Sequence, residues 1–306
     1  MIYTLTMNPS IDYFVTLSDH LLIDEVNRTV DENFKPGGKG LNVSTILSVL
    51  GYPSVAIALL GGFTGEYIKQ SFGQSNLIKL DPIKVEGINR INMKAHYNHS
   101  ALCINGKGPI VDNITKDLII TKINQLQEND WFIISGSSPE GVDSNYLIEI
   151  SNLVHQKKAN LVIDMEKIDI HILSQCKPTL IKPNLYEFGL IMGNDNISLL
   201  NIKEEMIKLN HLGISQILVS LGEDGAILLN QNQFYRLEQE PINAVNKVGS
   251  GDAMLASFLA KLISTNDIVS SLKWAGAAGA AVASTLEDID LSSIKQQLNK
   301  VTVTKI

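Results

Sequence analysis

Short apolar runs and longer amphipathic runs alternate along this chain, with turn residues between them. Ile2 to Met7 alternates and is β-branched, which predicts a strand; Pro9, in Asn8-Pro9-Ser10-Ile11-Asp12, breaks its ladder and leaves Asp12 just past a strand end. Residues Tyr13 to Phe34 alternate weakly, as short strands exposed on one face do. No helical period appears before residue 40. Leu41, Val43, Ile46, Leu47, Val49 and Leu50 then mark a helix that Gly51 ends as a C-cap. Ser54 to Leu60 is a buried strand, Glu66 to Phe72 a helix, and Leu77 to Val85 one or two short strands. Arg90 to Ala95 alternates, so Arg90, Asn92 and Lys94 share a strand face.

The same rhythm fills the rest. Thr115 is placed as the cap of a helix reaching about Glu128. Strands Trp131 to Ile134, Leu161 to Asp164 and Thr179 to Ile181 are spaced by helices Asn145 to Lys157 and Ile168 to Gln175. Helix Ile202 to Leu212 precedes two strands, Gln216 to Ser220 and Ala226 to Leu229. Phe234 to Leu237 and Ile242 to Val245 read as edge strands. An Ala-rich helix opens at Gly249 to Asp252, and two more span Asp267 to Ala283 and Leu291 to Lys300. The predicted class is α/β: one doubly wound, mostly parallel sheet with helices on both faces, plus a small β-sheet lid. No linker or repeat interrupts residues 1–306, so one domain is expected, with lid strands at about 12–35 and 88–105.

Composition narrows the partners. A net charge of −7 disfavours nucleic acid and anionic membrane surfaces. No apolar run reaches the roughly 18 residues of a membrane span, and the first residues lack a signal-peptide pattern, so a cytoplasmic protein is expected. Two cysteines, Cys103 and Cys176, build neither a disulfide framework nor a metal cluster and read as buried thiols.

The candidate chemistry sits where strands end. Gly37-Gly38-Lys39-Gly40 opens the first helix, where bare backbone N–H groups and a cation suit an anionic, hydroxyl-rich ligand; a solvated turn lysine is the plainer reading. Asn184 and Glu187, at i and i+3, suit either a hydrated Mg²⁺ or a capping pair. Gly249-Ser250-Gly251-Asp252 offers an anion site beside a carboxylate that accepts a proton, or a helix start that an Asp merely charges.

In their order, these motifs resemble the ribokinase-like PfkB carbohydrate kinases over essentially the whole chain. The series runs Asn8-Pro9-Ser10-Ile11-Asp12, Gly37-Gly38-Lys39-Gly40-Leu41-Asn42-Val43, Arg90-Ile91-Asn92, Ser135-Gly136-Ser137, Lys182-Pro183-Asn184 with Glu187, Ser220-Leu221-Gly222 with Gly225, and Gly249-Ser250-Gly251-Asp252. The pattern is similar to the hexose-phosphate branch, which includes 1-phosphofructokinase and tagatose-6-phosphate kinase. The resemblance implies Asp252 as catalytic base, with Gly249, Ser250 and Gly251 as the anion hole for the moving phosphoryl group. It implies that Asp12, Gly37, Gly38, Asn42, Asn92 and Ser137 contact the sugar, and that Lys39 and Arg90 hold the sugar's own phosphate. Lys182, Asn184, Ser220, Gly222, Gly225 and Gly279 would line the ATP site, and Asn184 and Glu187 (through water) would organise Mg²⁺. The implied activity is ATP-dependent phosphorylation of a ketohexose monophosphate. Fructose 1-phosphate stands ahead of tagatose 6-phosphate, and a non-catalytic sugar-phosphate binder is the other class. A homodimer through the lid sheet is compatible with it. Asn246 and Lys247 depart from the family's usual Asp-Thr before the anion hole, which touches monovalent-cation dependence.

Overall fold

The computed structural model describes residues 1–18, 21–72, 75–98, 100–194, 196–245 and 248–306; Asn246 and Lys247 lie outside them. Strand β1 (Ile2–Thr6) is followed by β2 (Ser10–Leu17) and β3 (Thr29–Gly37) of a separate sheet. Helix α1 (Lys39–Val49), β4 (Ser54–Leu60), α2 (Gly62–Phe72) and β5 (Ile78–Lys84) belong to the main layer. Then β6 (Arg90–Tyr97) and β7 (Ser100–Asn105) complete the small sheet. Alternation resumes with α3 (Asn113–Ile123), β8 (Trp131–Gly136), α4 (Ser144–Gln156), β9 (Asn160–Met165), α5 (Ile170–Cys176), β10 (Leu180–Ile181), α6 (Leu185–Met192) and α7 (Ile202–His211). The chain ends with β11 (Gln216–Ser220), β12 (Ala226–Asn230), β13 (Gln233–Gln239), α8 (Ser250–Thr265), α9 (Ile268–Ala283), α10 (Leu291–Gln297) and β14 (Val301–Lys305).

Among the described residues the main sheet has ten strands in the order β14-β13-β12-β11-β10-β9-β8-β1-β4-β5. It is parallel from β5 to β11, and β12, β13 and β14 join antiparallel. Its central strands are buried on both faces, as parallel sheets covered by helices must be. Ile133, Val162 and Leu218 pack with α1, α8 and α9, whereas Ile134, Ile163 and Ile217 pack with α3 to α7. No helix among the described residues is long and apolar enough to cross a membrane. The small sheet runs β3-β2-β6-β7 and touches the main layer through α2.

Several local expectations are corrected. Asp12, expected just past a strand end, lies inside β2, because the chain leaves β1 and enters the second sheet at Ser10. Asp112, whose carboxylate accepts from Thr115 N–H at 2.8 Å, caps α3, and that helix stops at Ile123. Residues 233–239 form an interior strand because β14 pairs with them, and Ile242 to Val245 form no strand. Cys176 is buried as expected, but Cys103 is exposed on β7.

Candidate active site

The carboxyl ends of the parallel strands, where open α/β sheets bind ligands, deliver four polar segments to one place. Asp164 stands near the end of β9, Lys182 just past β10, and the starts of α1 and α8 face them. Helix α8 begins at Gly249, whose φ of 81° needs a residue without Cβ. Gly249, the N-cap, has no side chain with which to cap that start, and a helical bond runs from Ala253 N–H to Gly249 O. The N–H groups of the first turn and the helix dipole therefore favour an anion there.

Asp252 is buried in this first turn, and its Oδ2 accepts from Asn42 Nδ2 at 2.7 Å. Burial pushes its carboxyl up to about 6, and the neighbouring Asp164 adds to the rise; Asn42, Lys39 and Lys182 oppose it. Asp164 is 2% exposed and faces Lys39 Nζ at 3.2 Å and Lys182 Nζ at 3.4 Å. Burial would raise the Asp164 carboxyl, but Lys182 and Lys39 outweigh it and hold it below the ordinary range. Lys39 also lies 3.3 Å from Glu187 Oε1. Burial works against the Lys39 ammonium, yet Asp164, Glu187 and Asp252 together leave its pKa raised. Gly251 sits in the same crowding, since a Cβ there would stand 3.0 Å from Lys182 Nζ and the ammonium would have to shift.

Asn184 and Glu187 form a complete capping box at the start of α6. Glu187 N–H donates to Asn184 Oδ1 at 2.8 Å, and Asn184 N–H donates to Glu187 Oε2 at 2.9 Å. Among the described residues no group of three His, Cys, Asp or Glu side chains converges as a metal cage. The nearby carboxylates are already matched by ammonium groups and N–H donors. A hydrated Mg²⁺ that arrives with a polyphosphate would meet Glu187 through water, the habit of that ion, and needs no such cage.

A second cluster gathers where β2 and β6 meet. Asp12 Oδ1 accepts from Ser10 Oγ and Asn92 Nδ2, both at 2.9 Å, and Asp12 Oδ2 pairs with Lys94 Nζ at 2.5 Å. Arg90 Nε donates to Asn8 O at 3.2 Å; burial lowers its guanidinium pKa against the fields of Glu166 and Asp12. Asn8 Nδ2 reaches Ser137 Oγ at 3.2 Å and Lys107 O at 3.3 Å. Gly37 touches this cluster, since its Cβ would lie 2.9 Å from Asp12 Cγ, and Gly38, at φ 131°, is the N-cap of α1. Asn42, four residues on, reaches Asp252, so α1 links the two clusters.

The structure thus brings Lys39, Asn42, Lys182, Glu187 and Asp252 together. Lys39, expected with Arg90 on one phosphate, pairs with Asp164 and Glu187, while Arg90 bonds Asn8 O. Ser220 pairs with Asn184 in a parallel bridge beside this group. Gly222 has φ 63° and open space at its Cβ position. Gly225 has a packing reason, with Leu237 O 2.1 Å from where a Cβ would stand, and Gly279 lies against Ser250 O. Sequence reasoning left Asp164, Lys94 and Asn8 off the site. The strand-end position of Asp164 and the shared parity of Lys94 with Arg90 and Asn92 were the available signals.

Comparison with known proteins follows the same outline. The model of the pfkB family carbohydrate kinases matches residues 5–295. A D-tagatose-1-phosphate kinase of Bacillus licheniformis is 34% identical over 313 residues, covering 100% of both chains. A 1-phosphofructokinase of Borreliella burgdorferi is also 34% identical, over 100% of this chain and 99% of its own. Phosphofructokinase-2 from Escherichia coli, solved in complex with potassium, shares the fold with a TM-score of 0.89 at 21% identity, over 97% of this chain and 98% of that one.

Proposed function

This chain belongs to the pfkB family of carbohydrate kinases, and on that premise we propose that it transfers the terminal phosphoryl group of ATP to the free primary hydroxyl of a ketohexose 1-phosphate, fructose 1-phosphate first. One observation carries the reading: a buried carboxylate, Asp252, held by Asn42 in the first turn of helix α8, whose N-cap is Gly249.

Asp252 takes the proton from the attacking hydroxyl, and a carboxyl pushed to about 6 is ionised at neutral pH yet basic enough for the task. The first-turn N–H groups of α8, contributed by Ser250 to Asp252, stabilise charge on the moving group. Lys39 and Lys182 place two cations beside it, and Asp164 orients both. Mg²⁺, bound with the nucleotide near Glu187, would neutralise charge on the phosphates. Asp12, Gly37, Gly38, Asn42 and Asn92 border the space for the sugar, and Arg90, next to Asn8 and Ser137, is the cation for its phosphate. Lys182, Asn184, Ser220, Gly222, Gly225 and Gly279 belong to the nucleotide side. The four-stranded sheet acts as a lid. Across its four strands Phe34, Tyr13, Met93 and Ile104 line up in one apolar row, with Phe34 and Ile104 exposed, a surface suited to a lid-to-lid homodimer that sedimentation would detect.

The test is ADP release with fructose 1-phosphate, tagatose 1-phosphate, tagatose 6-phosphate, fructose 6-phosphate and the free sugars. The 1-phosphates should give the highest kcat/KM. No acceleration by any ketohexose phosphate would overturn the proposal.

A further inference from the structure

Asp12 has almost no acceptor capacity left. A carboxylate offers about four lone-pair positions. Ser10 and Asn92 occupy two on Oδ1, and Lys94 occupies one on Oδ2. Gly37 closes the Oδ1 side, since a Cβ there would already lie 2.9 Å from that atom. What remains is one acceptor position on Oδ2, directly beside the Lys94 ammonium. Lys94 Nζ spends one donor on Asp12 and sits 4.9 Å from the centre of the Phe14 ring, its in-register neighbour on β2. Its other donors stay available next to that acceptor. Both side chains are 11% exposed, so solvent screens the pair weakly.

An adjacent donor and acceptor, fixed in place, match one hydroxyl that donates to Asp12 and accepts from Lys94. We propose that Lys94 is a specificity-determining residue: with Asp12 it reads the configuration of one sugar hydroxyl. The inference rests on the kinase reading above. Turning that hydroxyl to the other face leaves a buried ion pair without its partner, a heavily penalised mismatch. Fructose and tagatose differ by one such inversion, at C4. Two relatives of equal identity to this chain are named for the two different sugars, so overall identity does not decide between them.

The experiment measures kcat and KM for fructose 1-phosphate and tagatose 1-phosphate in the wild type, Lys94→Met and Lys94→Arg. The wild type should favour one epimer. Lys94→Met should raise KM for that epimer by about tenfold or more, leave kcat within about twofold and KM for ATP unchanged, and bring the two kcat/KM values close together. Lys94→Arg keeps the charge, and so the fold, but its planar fork cannot reproduce a point donor. It should lose the epimer preference as well. A wild type indifferent to the epimer, or both variants keeping the wild-type ratio, overturns the inference while the kinase reading stands. A wild type that turns over neither sugar removes the 1-phosphate reading instead, and this inference with it.

Discussion

Asn42 Nδ2 donates to Asp252 Oδ2 across 2.7 Å, tying the start of α1 to the start of α8. The bond favours the ionised carboxylate and so works against the burial that lifts its pKa to about 6. Removing the donor with Asn42→Leu must therefore raise that pKa further. The acid limb of kcat/KM, expected near pH 6 in the wild type, should move to higher pH. Activity at pH 7 should fall by roughly tenfold. A limb that stays put would separate Asp252 from the rate.

Asp252→Asn should lower kcat by about 10³-fold while sugar-phosphate binding survives, because a positioned general base contributes on that order. The same variant should be more stable than the wild type at pH 8. The folded protein holds the Asp252 proton more tightly than the unfolded chain, about 6 against 3.8. Ionisation therefore destabilises the fold as pH rises through that window, and the full penalty, at most about 3 kcal/mol, is present above it. Thermal melts should show a higher Tm for the variant at pH 8 and no gain below pH 3.8.

Asp164→Asn should move the acid limb the other way. Asp164 raises the Asp252 pKa, and without it Lys39 and Lys182 act on Asp252 unopposed, so the limb should fall below pH 6. Stability should drop by about 3–5 kcal/mol, because two ammonium groups, one of them almost fully buried, lose their shared counter-ion. A pH-rate profile together with urea unfolding checks both halves.

Much of this site was legible because its parts are local. A glycine turn before a helix, as at Gly37 to Gly40 or Gly249 to Asp252, marks a helix start in four consecutive residues. The strand and helix rhythm likewise gave the sheet and its covering layers. The pairs that tune the chemistry are not local. Lys39 meets Asp164 across 125 residues, and Lys94 meets Asp12 across 82, so no window of sequence contains both partners. Pro9 signalled a strand end correctly but concealed that a second strand starts one residue later. Strand β14 was missed because its Val-Thr alternation follows a helix directly, and its partner β13 lies far back in the chain.

Gly251→Ala should act on chemistry more than on folding. Its backbone is helical, so Ala meets no conformational penalty, but the new methyl would stand 3.0 Å from Lys182 Nζ. The ammonium has to shift from both Asp164 and the helix start. A loss of kcat by about tenfold or more, with Tm within a few degrees of wild type, is expected. Equal losses in melts and rates would mean that the glycine serves packing alone.

Glu187→Gln separates the two jobs of the α6 start. Gln keeps the reciprocal cap, since its side-chain oxygen accepts from Asn184 N–H as Glu does, so the melting temperature should hold. It removes the negative charge that faces Lys39 at 3.3 Å and that a hydrated Mg²⁺ would feel. The Mg²⁺ concentration for half-maximal rate should rise by about tenfold, and saturating Mg²⁺ should recover most of kcat. Glu187→Ala, which breaks cap and charge together, should lose both stability and Mg²⁺ affinity. If Glu187→Gln titrates with Mg²⁺ as the wild type does, Glu187 is a capping residue only, and the ion must be held by the phosphates and other groups of the site.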